Sequence, residues 1–414
     1  MTFERIRRAS ATVLALLVSL LAAAMPAAAS PRVGDRPTVV LAILDGCPAH
    51  SLDALPPEAY LREAAAKGRF QRVRTVFPSS TAAGHAAILT GKWPEENGVT
   101  GKEFLREDGT LGAFSSPRLL EAPTIIEQAA GAGFRTAVIS GKNGVRSLLG
   151  EGADLSVSPG LVPSWVLEKV GPPPDESTQY DDFCGWYESL DRWVIDVASA
   201  FVRDAGPGAL VVLNLAGPDK VGHRFGPVPA PETTHCLVSA GKALEALAAV
   251  LEGVAGDDWA VVVTADHGMT PVSRAILPSE ILESAGAGDC ARSLDGGVLY
   301  VWPSATEQAA AIAALKNTEG VAEVMGPSDE ARMRIHATHP RSAPVIAVAG
   351  EGYMFIESAA LMDYTRGSHG ALLESDVVVP LIAYGPRASG VDTTSARYTV
   401  DIAGILAELL GIEK

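Results

Sequence analysis

The stretch TVVLAILDG, Thr38 to Gly46, decides how the whole chain is read. Its seven uncharged residues run without a break, too short for a core helix, and such a run marks a strand buried on both faces of a parallel sheet. Asp45 follows at once, at the end where open parallel sheets bind ligands, in the crevice outside the carboxyl ends of the strands. Outward from this stretch the pattern recurs in FRTAVIS before Gly141, ALVVLNL before Ala216, WAVVVT before Ala265 and VVVPLIAY before Gly385, each read as a buried parallel strand. Helical stretches alternate with them: PEAYLREAAAKG, SPRLLEAPTIIEQAAGAG, YESLDRWVIDVASAFVRDAG, TTHCLVSAGKALEALAAVLEGVAG and TVDIAGILAELLG. The alternation predicts an α/β fold, a mostly parallel central sheet with helices on both faces. Residues 271–352 read differently, with GGVLYVWP, ATEQAAAIAALKN, VAEVMG and PVIAVAGEGYMF, and are expected to form a small inserted α+β lobe. Residues 141–180, rich in Gly, Pro and Ser, read as a loop able to border a pocket.

The N-terminus stands apart from this pattern. Arg5, Arg7 and Arg8 precede ATVLALLVSLLAAA and then MPAAAS, the charged, apolar and small-residue regions of a secretory signal, with cleavage expected after Ala29. The apolar run is shorter than the ~20 residues a membrane span needs, which disfavours an uncleaved anchor. Residues 30–414 are then the catalytic domain, exported to a periplasm or secreted, with no stable membrane anchor. Of the 414 residues, 33 are Lys or Arg and 49 Asp or Glu; removing residues 1–29 leaves 30 − 48 = −18. Such acidity argues against binding a nucleic-acid duplex or another broad polyanion, so a small anionic substrate would need local positive charge. Four cysteines in an exported chain allow one or two disulfides, and their spacing does not resemble a zinc-thiolate site.

Three strand ends carry the chemistry. Asp45 follows the first strand, Asp219 and His223 lie a few residues beyond ALVVLNL, and Asp266 and His267 end WAVVVTADHGM. His369, in RGSHGA, adds another imidazole between glycines. Mixed Asp and His ligands suit borderline ions such as zinc, with other divalent ions possible. Six candidates are too many for one ion and divide three and three between two ions ~4 Å apart, a spacing of phosphoryl-transfer sites. Singly, each has an ordinary reading: an aspartate after a strand caps the next helix, and a histidine beside glycine sits in a turn. Of the other histidines, only His85 is read as a support that orients a ligand.

FPSSTAAGHAAILTG, Phe77 to Gly91, supplies the missing reactive group. A helix beginning at Thr81 offers free backbone N–H groups and the positive end of its dipole to an anion. Ala82, Ala83 and Gly84 would keep its first turn clear for a phosphate, and metal coordination turns a threonine hydroxyl into a usable nucleophile.

With these pieces in order, the chain resembles the type I phosphodiesterase/nucleotide pyrophosphatase branch of the alkaline phosphatase superfamily, from about Thr38 to the C-terminus. The pieces that carry the resemblance are LDG, PSSTAAGHAAILTGKWPEENGV, GPDKVGHRFGP, TADHGM, RGSHGA and TVDIAGILAELLG. The resemblance implies an alkaline phosphatase-like fold and a covalent phospho-threonine intermediate on Thr81. It implies Asp45, Asp266, His267 and the Thr81 oxygen around one zinc, and Asp219, His223 and His369 around the other. Two departures stand out. Where many members place a phosphate-donating asparagine, a gapless count lands on Lys102, with Asn97 as the alternative donor; and Lys142, in SGKNG, resembles the lysine by which monoesterase and phosphonate-cleaving members bind a terminal phosphate. Tyr180, in QYDDFCGWYESLDRW, is a candidate leaving-group contact. The reading is an exported two-zinc hydrolase of phosphoric esters acting on a small substrate, diester or pyrophosphate cleavage placed slightly ahead of monoester cleavage. The alternatives are a phosphate monoesterase, a phosphonate hydrolase clamping phosphate through Lys142, and, outside catalysis, a metal-stabilised binding protein.

Overall fold

A computed structural model describes residues 36–412; the signal segment expected at residues 1–29 lies outside the described residues. Sixteen strands run in chain order among them. The first eight are β1 (Thr38–Leu44), β2 (Arg69–Arg74), β3 (Glu103–Leu105), β4 (Leu111–Ala113), β5 (Arg135–Ser140), β6 (Leu155–Val157), β7 (Ala209–Leu215) and β8 (Trp259–Thr264). They are followed by β9 (Thr270–Ile276), β10 (Ala291–Asp295), β11 (Val298–Trp302), β12 (Val321–Met325), β13 (Val345–Ala349), β14 (Gly352–Phe355), β15 (Gly367–Ser368) and β16 (Val378–Tyr384).

Seven of these form the main sheet in the order β2-β16-β8-β1-β7-β5-β6. Strands β8, β1, β7, β5 and β6 pair in parallel. Every residue of β1, β7 and β8 is buried, which is why these three read as unbroken apolar runs. One layer of helices, Tyr60–Lys67, Phe183–Ala205 and Pro231–Ala255, packs together along the sheet, and a second layer contains Thr81–Thr90, Ile125–Gly131 and Ile402–Leu410. The fold is thus α/β with a mostly parallel sheet.

Three details differ from the sequence reading. VVVPLIAY forms β16, which runs antiparallel to both neighbours. The chain enters it from the ligand-bearing end of the sheet, through the short helix Glu374–Val377, and can only run back. Strand β2, RFQRVR, escaped notice because an edge strand keeps charged residues toward water. Residues 141–180 hold the helix Asn143–Leu149, the three-residue edge strand β6 and the helix Ser164–Lys169, elements too short to leave a periodic trace.

Within the stretch expected as a lobe, β10-β11-β13-β12 form an antiparallel sheet backed by the helices Pro278–Ser284 and Gln308–Lys316. Leu282, Leu299, Val301, Leu315, Val345 and Phe355 fill a core separate from that of the main sheet. Strand β9 leads out of the main sheet's rim, and its pairings with β14 and β15 bracket the excursion. All four cysteines are unpaired, so the disulfides allowed by the sequence do not form in this structure. Among the described residues no helix is long and apolar enough to cross a membrane.

Candidate active site

Sheet register brings the acidic residues together. Leu44 lies opposite Leu215 and Ile43 opposite Thr264, so β1, β7 and β8 end level and whatever follows them shares one rim. Asp45 comes directly off β1; Asp266 and His267 come off β8; Asp219 and His223 lie one turn apart on the helix Gly217–Phe225 that follows β7. His369 arrives from β15. Asp45, Asp266 and His267 offer ligand atoms all within 4.8 Å of one another, and Asp219, His223 and His369 do the same. The rings of His267 and His369 stack at 3.7 Å, so the two clusters adjoin.

The donor set fits two divalent ions. His267 Nδ1 lies 2.8 Å from the Gly268 carbonyl, His223 Nδ1 2.9 Å from that of Gly367, and His369 Nδ1 2.9 Å from that of Ser79. A carbonyl only accepts, so each Nδ1 carries the proton and each Nε2 presents a lone pair to its cluster. The carboxylates are arranged likewise. Asp266 Oδ1 accepts from the Gly46 N–H, Asp45 Oδ2 from the Asn214 amide, and Asp219 Oδ2 from Lys142. Asp266 Oδ2 and Asp219 Oδ1 are buried with no hydrogen-bond partner, an arrangement costly without a cation. Three buried carboxylates face two ammoniums, the buried one of Lys142 and the partly exposed one of Lys220 at 3.4 Å from Asp219, which leaves negative charge in excess.

Proton affinities record the crowding. Burial and the neighbouring Asp266 raise Asp45 above the usual carboxylate range. Burial opposes ionisation of Asp219 as well, but Lys142, His223 and Lys220 hold it well below that range. Burial together with His267 and His223 pushes His369 well below the usual imidazole value, which suits a neutral ligand.

Thr81 opens its helix at the edge of both clusters. Its Oγ1 is 3.3 Å from His267 Nε2 and 3.2 Å from Lys142 Nζ, and the Lys142 ammonium donates to Asp45 Oδ1 and Asp219 Oδ2, each at 2.7 Å. Above them a cavity of about 470 Å³ is walled by Phe114, Val145, Leu148, Leu294 and Met354, with Lys102 and Lys220 on its polar side. A cavity of about 560 Å³ near Tyr60 and Tyr384 contains none of these groups.

Among the sequence candidates, Asp45, Thr81, Asp219, His223, Asp266, His267, His369 and Lys142 converge, and Lys102 lines the cavity. Asn97 does not join them. It is buried in its own turn, donating to the Lys92 carbonyl and accepting from the Val99 N–H, and does not line the cavity. Tyr180 is 78% exposed and outside the cavity wall, its ring tilted at 6.3 Å from that of Phe183. The small first turn of the Thr81 helix also has a different cause from the one expected. Of its three small residues only Ala82 faces the cavity; Gly84 is buried against Asp266, where a Cβ would stand 2.2 Å from the Asp266 carbonyl oxygen. Sequence reasoning missed Asn214, Ser140 and Lys220. Asn214 had a visible signal, a lone amide inside the apolar run ALVVLNL.

Comparison with known proteins agrees with this geometry. The family model described as type I phosphodiesterase / nucleotide pyrophosphatase matches residues 39–372. Among solved structures, phosphonoacetate hydrolase from Sinorhizobium meliloti 1021 is 23% identical, with 89% of this chain and 94% of that chain covered at a TM-score of 0.70. Murine ectonucleotide pyrophosphatase / phosphodiesterase 5 is 20% identical over 91% and 95% of the two chains at 0.68, and the alkaline phosphatase PafA 16% identical over 91% and 96% at 0.71. At such identities the solved structures speak for the fold, and the family match, over most of the sequence, speaks for descent. Three strand ends that converge on one rim are therefore shared ancestry: the chain belongs to the type I phosphodiesterase / nucleotide pyrophosphatase family, whose members are metal-dependent hydrolases of phosphoric esters.

Proposed function

We propose that the protein is an exported hydrolase of phosphoric esters that works through a covalent phospho-threonine on Thr81, with two zinc ions held by Asp45, Asp266 and His267 and by Asp219, His223 and His369. The observation that carries this reading is the place of the Thr81 hydroxyl, 3.3 Å from His267 of one cluster and joined through the Lys142 ammonium to Asp219 of the other. When bound, the ions supply Lewis-acid activation of that hydroxyl and neutralise charge on the phosphoryl oxygens. The chain's own residues do the rest. The helix that starts at Thr81 aims its first free N–H groups at a phosphoryl oxygen, and Lys142 Nζ adds a charge-assisted donor. The cavity wall of Phe114, Val145, Leu148, Leu294 and Met354 offers the leaving group an apolar surface. Attack by Thr81 expels the ester oxygen; water then cleaves the phospho-threonine, and two displacements retain configuration at phosphorus. An inactive threonine-to-alanine variant of murine ectonucleotide pyrophosphatase / phosphodiesterase 5 in complex with AMP supports a threonine as the reactive group. Thr81→Ala should abolish hydrolysis of p-nitrophenyl phosphate while leaving the fold intact by circular dichroism; full retained turnover would remove Thr81 from the mechanism.

The position of Lys142 reverses the order drawn from sequence. Its ammonium touches the nucleophile and both clusters, so three positive centres surround the phosphoryl site, which favours a dianionic terminal phosphoryl group over a diester's single charge. Phosphate monoesters and phosphonates are the favoured substrates, in line with the binding of phosphonoformate and phosphonoacetate by the Sinorhizobium enzyme. The test is kcat/KM for a monoester and a diester with the same leaving group, in wild type and Lys142→Ala. A loss of ~100-fold or more confined to the monoester is expected, on the order of 3 kcal/mol for a charge-assisted contact. Equal losses on both substrates would restore the diester reading.

A further inference from the structure

A buried chain of side-chain hydrogen bonds centred on Asn214 lies behind the cluster of Asp45, Asp266 and His267. Asn214, 2% exposed, ends β7 just before the ligand-bearing helix. Its Nδ2 donates to Asp45 Oδ2 at 2.7 Å and faces His85 Nε2 at 3.2 Å, and its Oδ1 accepts from Ser140 Oγ at 3.0 Å. Beyond the imidazole, His85 Nδ1 reaches the Thr81 carbonyl at 2.9 Å and stands 3.1 Å from Asp266 Oδ2.

Donor and acceptor roles are forced along this chain. The Thr81 carbonyl can only accept, so His85 Nδ1 carries the proton and Nε2 is the acceptor facing the amide. Ionised Asp45 also only accepts, so the amide must point both of its N–H bonds at Asp45 and His85 and its oxygen at the Ser140 hydroxyl. No other side chain of this size meets all three demands: an aspartate would set a second negative charge against Asp45, and a leucine would leave Asp45 Oδ2 and the Ser140 hydroxyl without this partner. The chain holds one ligand of the first cluster, Asp45, together with the backbone of the nucleophile, and sets the His85 ring beside a second, Asp266. Asn214 itself makes no bond to Asp219, His223 or His369; only beyond Ser140, which donates to the Lys142 carbonyl and accepts from its N–H, does a path lead through the Lys142 ammonium to Asp219.

We infer that Asn214, through His85 and Ser140, is a positioning residue for the ion held by Asp45, Asp266 and His267 and leaves the ion held by Asp219, His223 and His369 untouched. The inference rests on the two-ion reading above. Residues that orient metal ligands through hydrogen bonds typically change affinity about 10–100-fold when removed, and here the change should fall on one ion only.

The experiment measures zinc affinity by competition with a chromophoric chelator, on the full chain stripped of metal. His223→Ala leaves the first cluster as the tight site, and His267→Ala leaves the second. Adding Asn214→Leu to His223→Ala should weaken the remaining tight site at least tenfold. Adding it to His267→Ala should change the remaining site less than twofold. Asn214→Ala, a smaller change at the same position that leaves the bonds of Ser140 to the Lys142 backbone in place, should follow the same pattern and guards against misfolding of the leucine variant. Equal weakening in both backgrounds, or none in either, would overturn the inference. Failure of the wild-type chain to bind two zinc ions tightly would overturn the two-ion reading itself, an outcome distinct from the other two.

Discussion

Side chains that follow an apolar run without delay were legible: Asp45, Asp266 and His267 stand one to three residues past a buried strand, where a charge has no packing purpose. Residues whose meaning depends on a partner far along the chain were not. Asn214 is 169 positions from Asp45, and nothing local shows that its amide meets that carboxylate. Asp191 is a similar case. It sits inside the helix Phe183–Ala205, 2% exposed, with both carboxylate oxygens 3.1–3.2 Å from the N–H of Gly217, the first residue of the helix bearing Asp219 and His223. Burial pushes its carboxyl from the ordinary 3.8 up to about 8, against the pull of the backbone donors. A raised folded-state value means that this group's contribution to stability is full below about pH 3.8 and is lost as pH climbs toward 8. Asp191→Asn keeps an acceptor for Gly217 and has nothing to ionise, so its melting temperature should match wild type near pH 4 and exceed it increasingly up to pH 8. A difference that stays constant across pH would show that folding does not shift the Asp191 carboxyl.

At the scale of elements, strand and helix order followed from period and length, whereas strand direction did not, because β16 has the same all-apolar sequence in either sense and only the point of entry sets its course. The short pieces between residues 141 and 180 stayed hidden for the opposite reason, having no period long enough to register. Packing between elements is where the Thr81 helix is most sensitive. Gly84 lets that helix close on the loop after β8, and an added methyl would meet the Asp266 backbone oxygen at 2.2 Å, so one element must move. Gly84→Ala should cost about 1–3 kcal/mol of stability as overpacking and lower kcat on p-nitrophenyl phosphate by ~100-fold or more, since a displacement near 1 Å at a reacting centre is worth about that factor. Wild-type kcat in the alanine variant would mean that helix and loop are not held in contact during turnover.

Over the whole molecule, charge is distributed unevenly: a chain with a formal net charge of −16 carries Lys102, Lys142 and Lys220 around one cavity. The clusters beneath them make ions part of stability as well as of chemistry. Binding at a hundredfold over the dissociation constant adds about 2.7 kcal/mol, so a chelator should lower the melting temperature, and zinc should restore it. In the stripped chain the Lys142 ammonium bonds both Asp45 and Asp219. Lys142→Ala should therefore cost more stability without zinc than with it, and equal costs in the two states would separate the lysine from the carboxylates' charge. The route of the chain has a temporal consequence. The cluster of Asp45, Asp266 and His267 is complete once His267 has been made, while that of Asp219, His223 and His369 waits for His369, 369 − 267 = 102 residues later, after the excursion through β9 to β14. A polypeptide that emerges N-terminus first therefore has one receptacle whole while its neighbour still lacks a wall, so metallation during biosynthesis acquires an inherent sequence of events.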